Sequence, residues 1–367
     1  MDSLLQRVLL EPGEIRGLRP RDWDLLVRQA RHANLLGRLH ENFARAGLQD
    51  AVLAQAGRHL QSAATMAARQ HQSVRHEARL LRDLLAGLGL PLILLKGAAY
   101  VVAGLPAARG RVFADLDILV PQARLAAVES ALLQQGWVGG TMDAYDQRYY
   151  RRWMHELPAL EHMERGTALD VHHTILPPTS RLHPDPAALI ADSVELPGWP
   201  GVRTLAPEDM VLHSAAHMFH EGETDNLLRD LSDLDLLLRH FGADPAFWGR
   251  LHQRAQRQGL RAPLRLALRY ASQLLATPVP AALLAATGAD RSRGPSQRLL
   301  DFLYRRALRP PHSSAADWAS GLSARLLYVR AHWLRMPPHL LAYHLLHKAL
   351  WPAPPRETPD IQPPAAR

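Results

Sequence analysis

Asp115 and Asp117 are the side chains best placed in the sequence to do chemistry. They sit in the segment Ala114-Asp-Leu-Asp-Ile-Leu-Val120, where acids alternate with apolar residues. Side chains of a strand alternate between its faces, so both carboxylates point one way and Leu116 and Ile118 the other. Two acids on one face among leucine, isoleucine and valine repel unless arginine partners or a bound divalent ion stand between them. An all-oxygen donor set suits magnesium or manganese. Asp170 repeats the pattern in Ala168-Leu-Asp-Val-His172. Set beside the first strand in one sheet, it supplies a third carboxylate on the same face. Three such acids can hold two metal ions about 3.5–4 Å apart, which clamp the attacking and leaving oxygens of an in-line phosphoryl displacement.

A phosphate-binding partner for these acids is Lys96-Gly97-Ala98, at the end of the apolar run Leu90-Pro-Leu-Ile-Leu-Leu95. Glycine admits close approach by a phosphate, and the free N–H groups of a helix start bind anions. Lysine occurs only twice in the chain, at Lys96 and Lys348, against 43 lysines and arginines together. A lysine beside a glycine at a strand end is therefore a candidate for a specific task, a point charge for a β- or γ-phosphate. The plainer reading of each piece is a solvated strand end for Asp-x-Asp and a capped turn for Lys96-Gly97. Arg111, four residues before Asp115, offers a guanidinium fork for phosphate.

The order Leu94-Leu95-Lys96-Gly97-Ala98-Ala99, then Arg111, then Asp115-Leu-Asp117-Ile-Leu-Val120, then Leu169-Asp170-Val171-His172 resembles a bacterial uncharacterised nucleotidyltransferase family. That family carries a Lys-Gly form of the motif and belongs to the DNA polymerase β-like nucleotidyltransferase superfamily. The likeness runs from about Leu92 to Arg239, since a His-rich helix and an aspartate-bearing helix follow the core, matched by His213, His217 and Asp233. The resemblance implies transfer of a nucleoside monophosphate from an NTP to an acceptor, with release of pyrophosphate. It implies that Asp115 and Asp117 bind both metals and that Asp170 binds the catalytic one and helps deprotonate the acceptor. Lys96, Gly97 and Ala98 would occupy the nucleotide-phosphate turn. Two features depart from the superfamily: Ala98 stands where a serine is usual, and the gap from the glycine turn to Asp115 is long. Arg111 is the candidate to replace the missing contact.

His213, His217 and His220 share one helix face with Glu221 adjacent, at a spacing that suits zinc ligands. Buried, hydrogen-bonded histidines are the commoner outcome. A middle reading has this helix lean over the sheet, where His217 meets a phosphate or the acceptor. His172 falls on the carboxylate face as a supporting donor or a solvated strand end. Asp233 is grouped with His172 and His217 as a residue supporting the site or the acceptor, and its neighbours Arg229, Asp230 and Asp235 read as a solvated face with i, i+4 pairing. Relief of repulsion predicts that removing Asp117 abolishes turnover at little cost in stability.

These residues need an α+β fold, a small mixed sheet flanked by helical regions. Residues 1–86 read as helical, 87–205 as the α/β core, 206–350 as a helical bundle, and the proline-rich 351–367 as a disordered tail. Helices are expected at about 207–220, 225–241, 246–258 and 260–275, and a Glu164-Arg-Gly166 turn joins strands at 157–163 and 167–172 in a hairpin. The apolar stretch from Gly87 to Ala108 contains only Lys96 as a charge, but its glycines and prolines divide it into pieces of strand and helix size, so no membrane span is expected. No cysteine is present, which excludes disulfides and thiolate metal sites. The acid at position 2 and an early arginine are unlike a signal peptide, so the cytoplasm is the expected compartment. A net charge of +8 and a pI near 10.2 raise nucleic acid as a partner. Arginine accounts for nearly all of that charge, a bias that a GC-rich genome produces without selection for binding, so the charge argues only weakly for nucleic acid and the acceptor is expected to be a small molecule, peptide or protein side chain. An RNA- or tRNA-modifying, toxin-like transferase and a non-catalytic nucleotide-binding protein are the alternatives. The basic amphipathic stretches from Arg325 to Arg335 and from Leu340 to Trp351 are expected to pack on the bundle with arginines outward, with membrane-surface attachment and RNA stacking as alternatives.

Overall fold

The computed structural model describes residues 3–140, 153–222, 224–291 and 294–337. The proline-rich stretch 351–367, Lys348 and the segment Leu340 to Trp351 lie outside them. The chain begins with helix α1 (Leu4–Leu10), started by a capping box in which the Ser3 hydroxyl accepts from Gln6 N and the Gln6 side chain accepts from Ser3 N. Helices α2 (Pro20–His32) and α3 (Leu36–Arg45) follow, the first with proline in its opening turn. Helix α4 (Ala54–Gly87) is 34 residues long. Its first turns pack with α1–α3 in one apolar cluster, and its last turns, through Val74, Ala78, Leu81 and Leu85, join the main core under the sheet.

The sheet is built from β1 (Leu92–Leu94), β2 (Asp115–Leu119), β3 (Trp137–Gly139), β4 (Leu160–His162), β5 (Ala168–His172), β6 (Val194–Glu195) and β7 (Val202–Thr204). Among the described residues its order is β3-β4-β5-β2-β1-β7-β6. It is mixed, as expected: β2 runs parallel to β5 and β1 to β7, and the other pairs are antiparallel. β4 and β5 form the expected hairpin, with Gly166 at a φ of 61° in its turn. Between the strands lie α5 (Lys96–Val102), α6 (Leu125–Gln134) and α7 (Pro186–Ala191). The apolar stretch through Ala108 is thus a strand, a helix and a turn. Its Leu92, Ile93, Leu94, Ala98, Val101 and Ala107 lie buried in the main core. No helix among the described residues is long and apolar enough to cross a membrane.

The remaining helices are α8 (Pro207–His220), α9 (Leu227–Phe241), α10 (Pro245–Arg257), α11 (Arg261–Leu275), α12 (Ala281–Thr287), α13 (Gly294–Ala307) and α14 (Ser320–Arg335). The first four match the expected ranges closely, because each has a hydrophobic stripe at helical spacing and a proline, glycine or aspartate at an end. α14 packs on α13 and α8, burying Ser323, Leu327 and Ala331. Its arginines do not all face outward: Arg330 donates to the Phe219 carbonyl at 2.9 Å, and Arg335 reaches a cleft beside the sheet.

The N-terminal helices touch the loop before β2 through two glycines. A Cβ at Gly37 would fall on the Gly110 carbonyl, and one at Gly110 on the Gly37 backbone. Only backbone meets backbone there, so neither side can yield as a flexible side chain would. Gly37→Ala is therefore expected to destabilise by about 1–3 kcal/mol, the usual cost of overpacking. Gly57→Ala in α4 meets only Val52 Cγ1 at 3.6 Å and should instead stabilise by about 0.5–1 kcal/mol. Urea unfolding of the two variants checks the contrast.

Candidate active site

Parallel pairing of β2 with β5 sets Asp117 directly opposite Asp170, with Asp115 two residues earlier on the same face. Leu116, Ile118, Leu169 and Val171, on the opposite face, are buried in the core and fix that register. A one-residue slip would bury the acids and expose the leucines. Asp117 is itself buried, while Asp115 and Asp170 are partly open.

Lys96 follows β1 directly, and the Leu95 N–H donates to the Asp117 carbonyl at 2.9 Å, extending the β1–β2 ladder to the site. Its own φ of 43° lies in the left-handed region, unusual for a residue with a side chain. Such strain persists where surroundings over-determine it. Here Lys96 Nζ donates to Asp117 Oδ1 at 3.0 Å, with the lysine side chain largely buried. His172 Nε2 approaches the same oxygen at 2.8 Å from β5.

Gly97 has a role that the sequence did not suggest. A Cβ there would strike the Arg111 guanidinium and come within 2.9 Å of the Phe113 ring, so the glycine opens the path by which Arg111 enters the site. Arg111 Nε donates to Asp233 Oδ2 at 2.6 Å, and its buried NH1 has no hydrogen-bond partner. Asp233 also accepts from Arg38 at 2.8 Å, and Arg38 donates onward to Ser232 and to the carbonyls of Ala107 and Arg109. An Arg–Asp–Arg bridge thus ties α3, α9 and the loop before β2. Helix α4 holds the same loop, because Gln70 pairs with both the N–H and the carbonyl of Phe113, and His71 Nε2 lies 2.9 Å from the Arg111 carbonyl.

Lys96, Gly97, Arg111, Asp115, Asp117, Asp170 and His217 line one cleft of about 390 Å3. Ala98 is buried outside it, and Asp233 stands behind Arg111 as its anchor. His213 and His220 are buried apart from it, and the three helix histidines form no ligand set among the described residues. His217 Nδ1 lies instead 2.5 Å from Glu221 Oε1. Arg229 is not on a solvated face: it pairs with Asp230 at 2.8 Å and lines the cleft. Asp235 binds Thr277 and Arg239. Arg38, His155, Glu156, Phe113 and Asn226 carry no local signal in the sequence, and neither does the reach of Arg335 into the cleft. Glu156 is brought in by an antiparallel bridge to His172, one residue before the Leu157 N–H bonds to the Val171 carbonyl.

The electrostatics divide the acids. Burial pushes the Asp117 carboxyl upward, but Lys96 and His172 outweigh it and hold the group far below the usual carboxylate range. Burial would lower Lys96, yet Asp117, then Glu221, keeps it charged well above the usual lysine range. Asp170 moves the other way: burial and the charges of Asp117 and Asp115 raise it to about 8. Burial and Asp170 likewise raise Glu156 to about 8. Burial raises Glu221 as well, but His217 and Lys96 hold it well below its ordinary value. Asp170 is thus a carboxyl on which burial and two neighbouring acids outweigh the pull of Lys96, and a divalent cation bound by oxygen donors would offset that crowding.

Residues 19–276 match a protein family described as uncharacterised nucleotidyltransferase. No curated protein and no solved structure matches the chain.

Two variants test the site's electrostatics. Asp117 is a partner of Lys96 and His172, so the expected relief of repulsion is outweighed by the charge left behind. Asp117→Ala should cost about 3–5 kcal/mol, the range for breaking a buried pair, in chemical denaturation. For Asp170 the folded value, about 8, lies above the ordinary 3.8. The folded state then holds an extra proton between those values, and stability falls as pH rises through that window. Asp170→Asn should therefore melt higher than the parent at pH 8 and converge with it near pH 4, read by thermal unfolding across pH.

Proposed function

The chain belongs to the uncharacterised nucleotidyltransferase family, and from that premise we propose that it transfers a nucleoside monophosphate from an NTP to an acceptor hydroxyl or phosphate, releasing pyrophosphate. The observation that carries this reading is the in-register pair Asp117 and Asp170, with Asp115 beside them, in one cleft with Lys96, Arg111, Arg229 and Arg335. Carboxylates and cations lining one cleft suit a metal–polyphosphate ligand.

Asp115, Asp117 and Asp170 would hold Mg2+ or Mn2+, and the fit is supported by the crowding of Asp170 between two other carboxylates, which raises its pKa. When bound, the ions neutralise charge on the reacting phosphate and on the departing pyrophosphate. The rest falls to the chain's own side chains. Arg111 NH1, buried and unpartnered, donates to a phosphate oxygen, while Asp233 keeps the fork in place. Lys96, Arg229 and Arg335 add positive charge for the remaining phosphates. The acceptor oxygen forms a bond to the α-phosphorus as the bond from that phosphorus to the pyrophosphate oxygen breaks, and Asp170 takes the acceptor's proton. Ala98 contributes only by filling the core behind Gly97. A cleft of about 390 Å3 is in the range of small-ligand sites. That favours a small-molecule, peptide or side-chain acceptor over RNA.

Incubation with each labelled NTP and Mg2+, with metabolite, peptide and RNA pools as acceptors, tests the proposal through pyrophosphate release and transfer of label. Asp115→Asn, which leaves the Lys96–Asp117–His172 contacts intact, should lower turnover on the order of 100-fold or more, the scale of one lost electrostatic contact to a transition state. Arg111→Lys keeps the charge but loses the fork, so it should raise the KM for NTP. Unchanged turnover in Asp115→Asn would refute the site, and label found only on RNA would replace the acceptor class.

A further inference from the structure

At the inner side of the cleft the His155 and His172 rings lie side by side with their planes tilted by 37° and their centroids 5.1 Å apart. Glu156 Oε2 is 3.3 Å from His172 Nδ1 and 3.6 Å from His155 Nε2. His172 Nε2 sits 2.8 Å from Asp117 Oδ1, and a carboxylate only accepts, so the ring proton belongs on Nε2. The lone pair is then on Nδ1, turned toward an oxygen of Glu156. That nitrogen is buried and makes no hydrogen bond. His155 Nδ1 is likewise buried and unpartnered, so no hydrogen bond at that nitrogen commits the ring to one tautomer. His172 is 0% exposed, so water does not reach its Nδ1, while His155, 5% exposed, borders the cleft. A buried lone pair against a carboxylate oxygen is costly unless a proton on that carboxyl, whose pKa burial and Asp170 raise to about 8, or a metal cation in its place lies between them.

We propose that His155, Glu156 and His172 form a binding site for a transition-metal dication of the zinc class, distinct from the all-oxygen site of Asp115, Asp117 and Asp170. The spacing fits. Metal–ligand bonds of 2.0–2.1 Å in a tetrahedron put neighbouring donors roughly 3.4 Å apart. The two separations from Glu156 bracket that value, and donor atoms of all three residues lie within 4.8 Å of one another. Asp117 completes a carboxylate–histidine–metal relay, the arrangement that orients a ligating imidazole through its far nitrogen. Two imidazoles select zinc over magnesium. Three protein ligands leave a fourth position, and both His155 and Glu156 line the cleft, so that position is open to a water or an acceptor group.

The test contains no NTP, so its outcome is independent of nucleotidyl transfer. The full chain is stripped with chelator, exposed to Zn2+ in excess Mg2+, passed through a desalting column and assayed for zinc by mass spectrometry. Stoichiometric zinc should remain on the parent and on Asp115→Asn, and should be lost from His155→Ala and Glu156→Gln. Asp117→Asn, which removes the relay, should weaken zinc binding by about 10–100-fold. X-ray absorption on the zinc-loaded parent should show two imidazoles and oxygen donors, and this decides the matter if a variant fails to fold. Absence of retained zinc, retention by His155→Ala, loss in Asp115→Asn, or a shell without two imidazoles would each overturn the site.

Discussion

The candidate site depends on one pairing, the parallel register of β2 against β5. It sets two aspartates opposite each other at the edge of a core that tolerates no unpaired charge. Much of the surrounding chemistry follows from the need to compensate them. Lys96 is bent into a left-handed backbone conformation at the end of β1 and answers Asp117, and His172 answers the same oxygen from the neighbouring strand. Asp170, with no such hydrogen-bonded cation, is pushed upward by burial and by Asp117 and Asp115. The asymmetry between two acids one strand apart is a property of their neighbours and not of the strands.

A second buried constraint holds the cationic side in place. Asp233 on α9 binds Arg38 from α3 and Arg111 from the loop before β2, so three segments far apart in the chain converge on one carboxylate. Such a bridge contributes little net stability but penalises any arrangement in which one member is missing. It therefore acts to specify geometry. The helical N-terminal region, which the sequence presents as a flanking unit, is in this way part of the site. Through Arg38, Gln70 and His71 it positions Arg111 and Phe113.

The helices from 207 to 275 were legible because each carries its own periodic stripe and its own stop. β6 and β7 were not, since two or three residues are too few to show an alternation and their proline- and glycine-rich connection reads as loop. Asp115, Asp117 and Asp170 stood out as acids in apolar strands. Glu156 and His155 did not, because nothing local distinguishes them from surface residues. Gly97 was singled out for the right position but for a different contact, being needed for an arginine that arrives 14 residues later. Asp233 was picked out through the resemblance and Arg229 was read as part of a solvated face; one is an anchor in the core and the other lines the cleft.

By itself the sequence determined the mixed α+β character, the four successive helices of the bundle and the strand faces that carry the three acids. All of these follow from periodicity within a few neighbouring residues. Only the tertiary structure decided which charges answer which: that Lys96 and His172 meet at Asp117, that Arg38 and Arg111 share Asp233, and that Glu156 lies between two imidazoles. Charge compensation depends on distance through a low-dielectric interior, and no spacing along the chain encodes it.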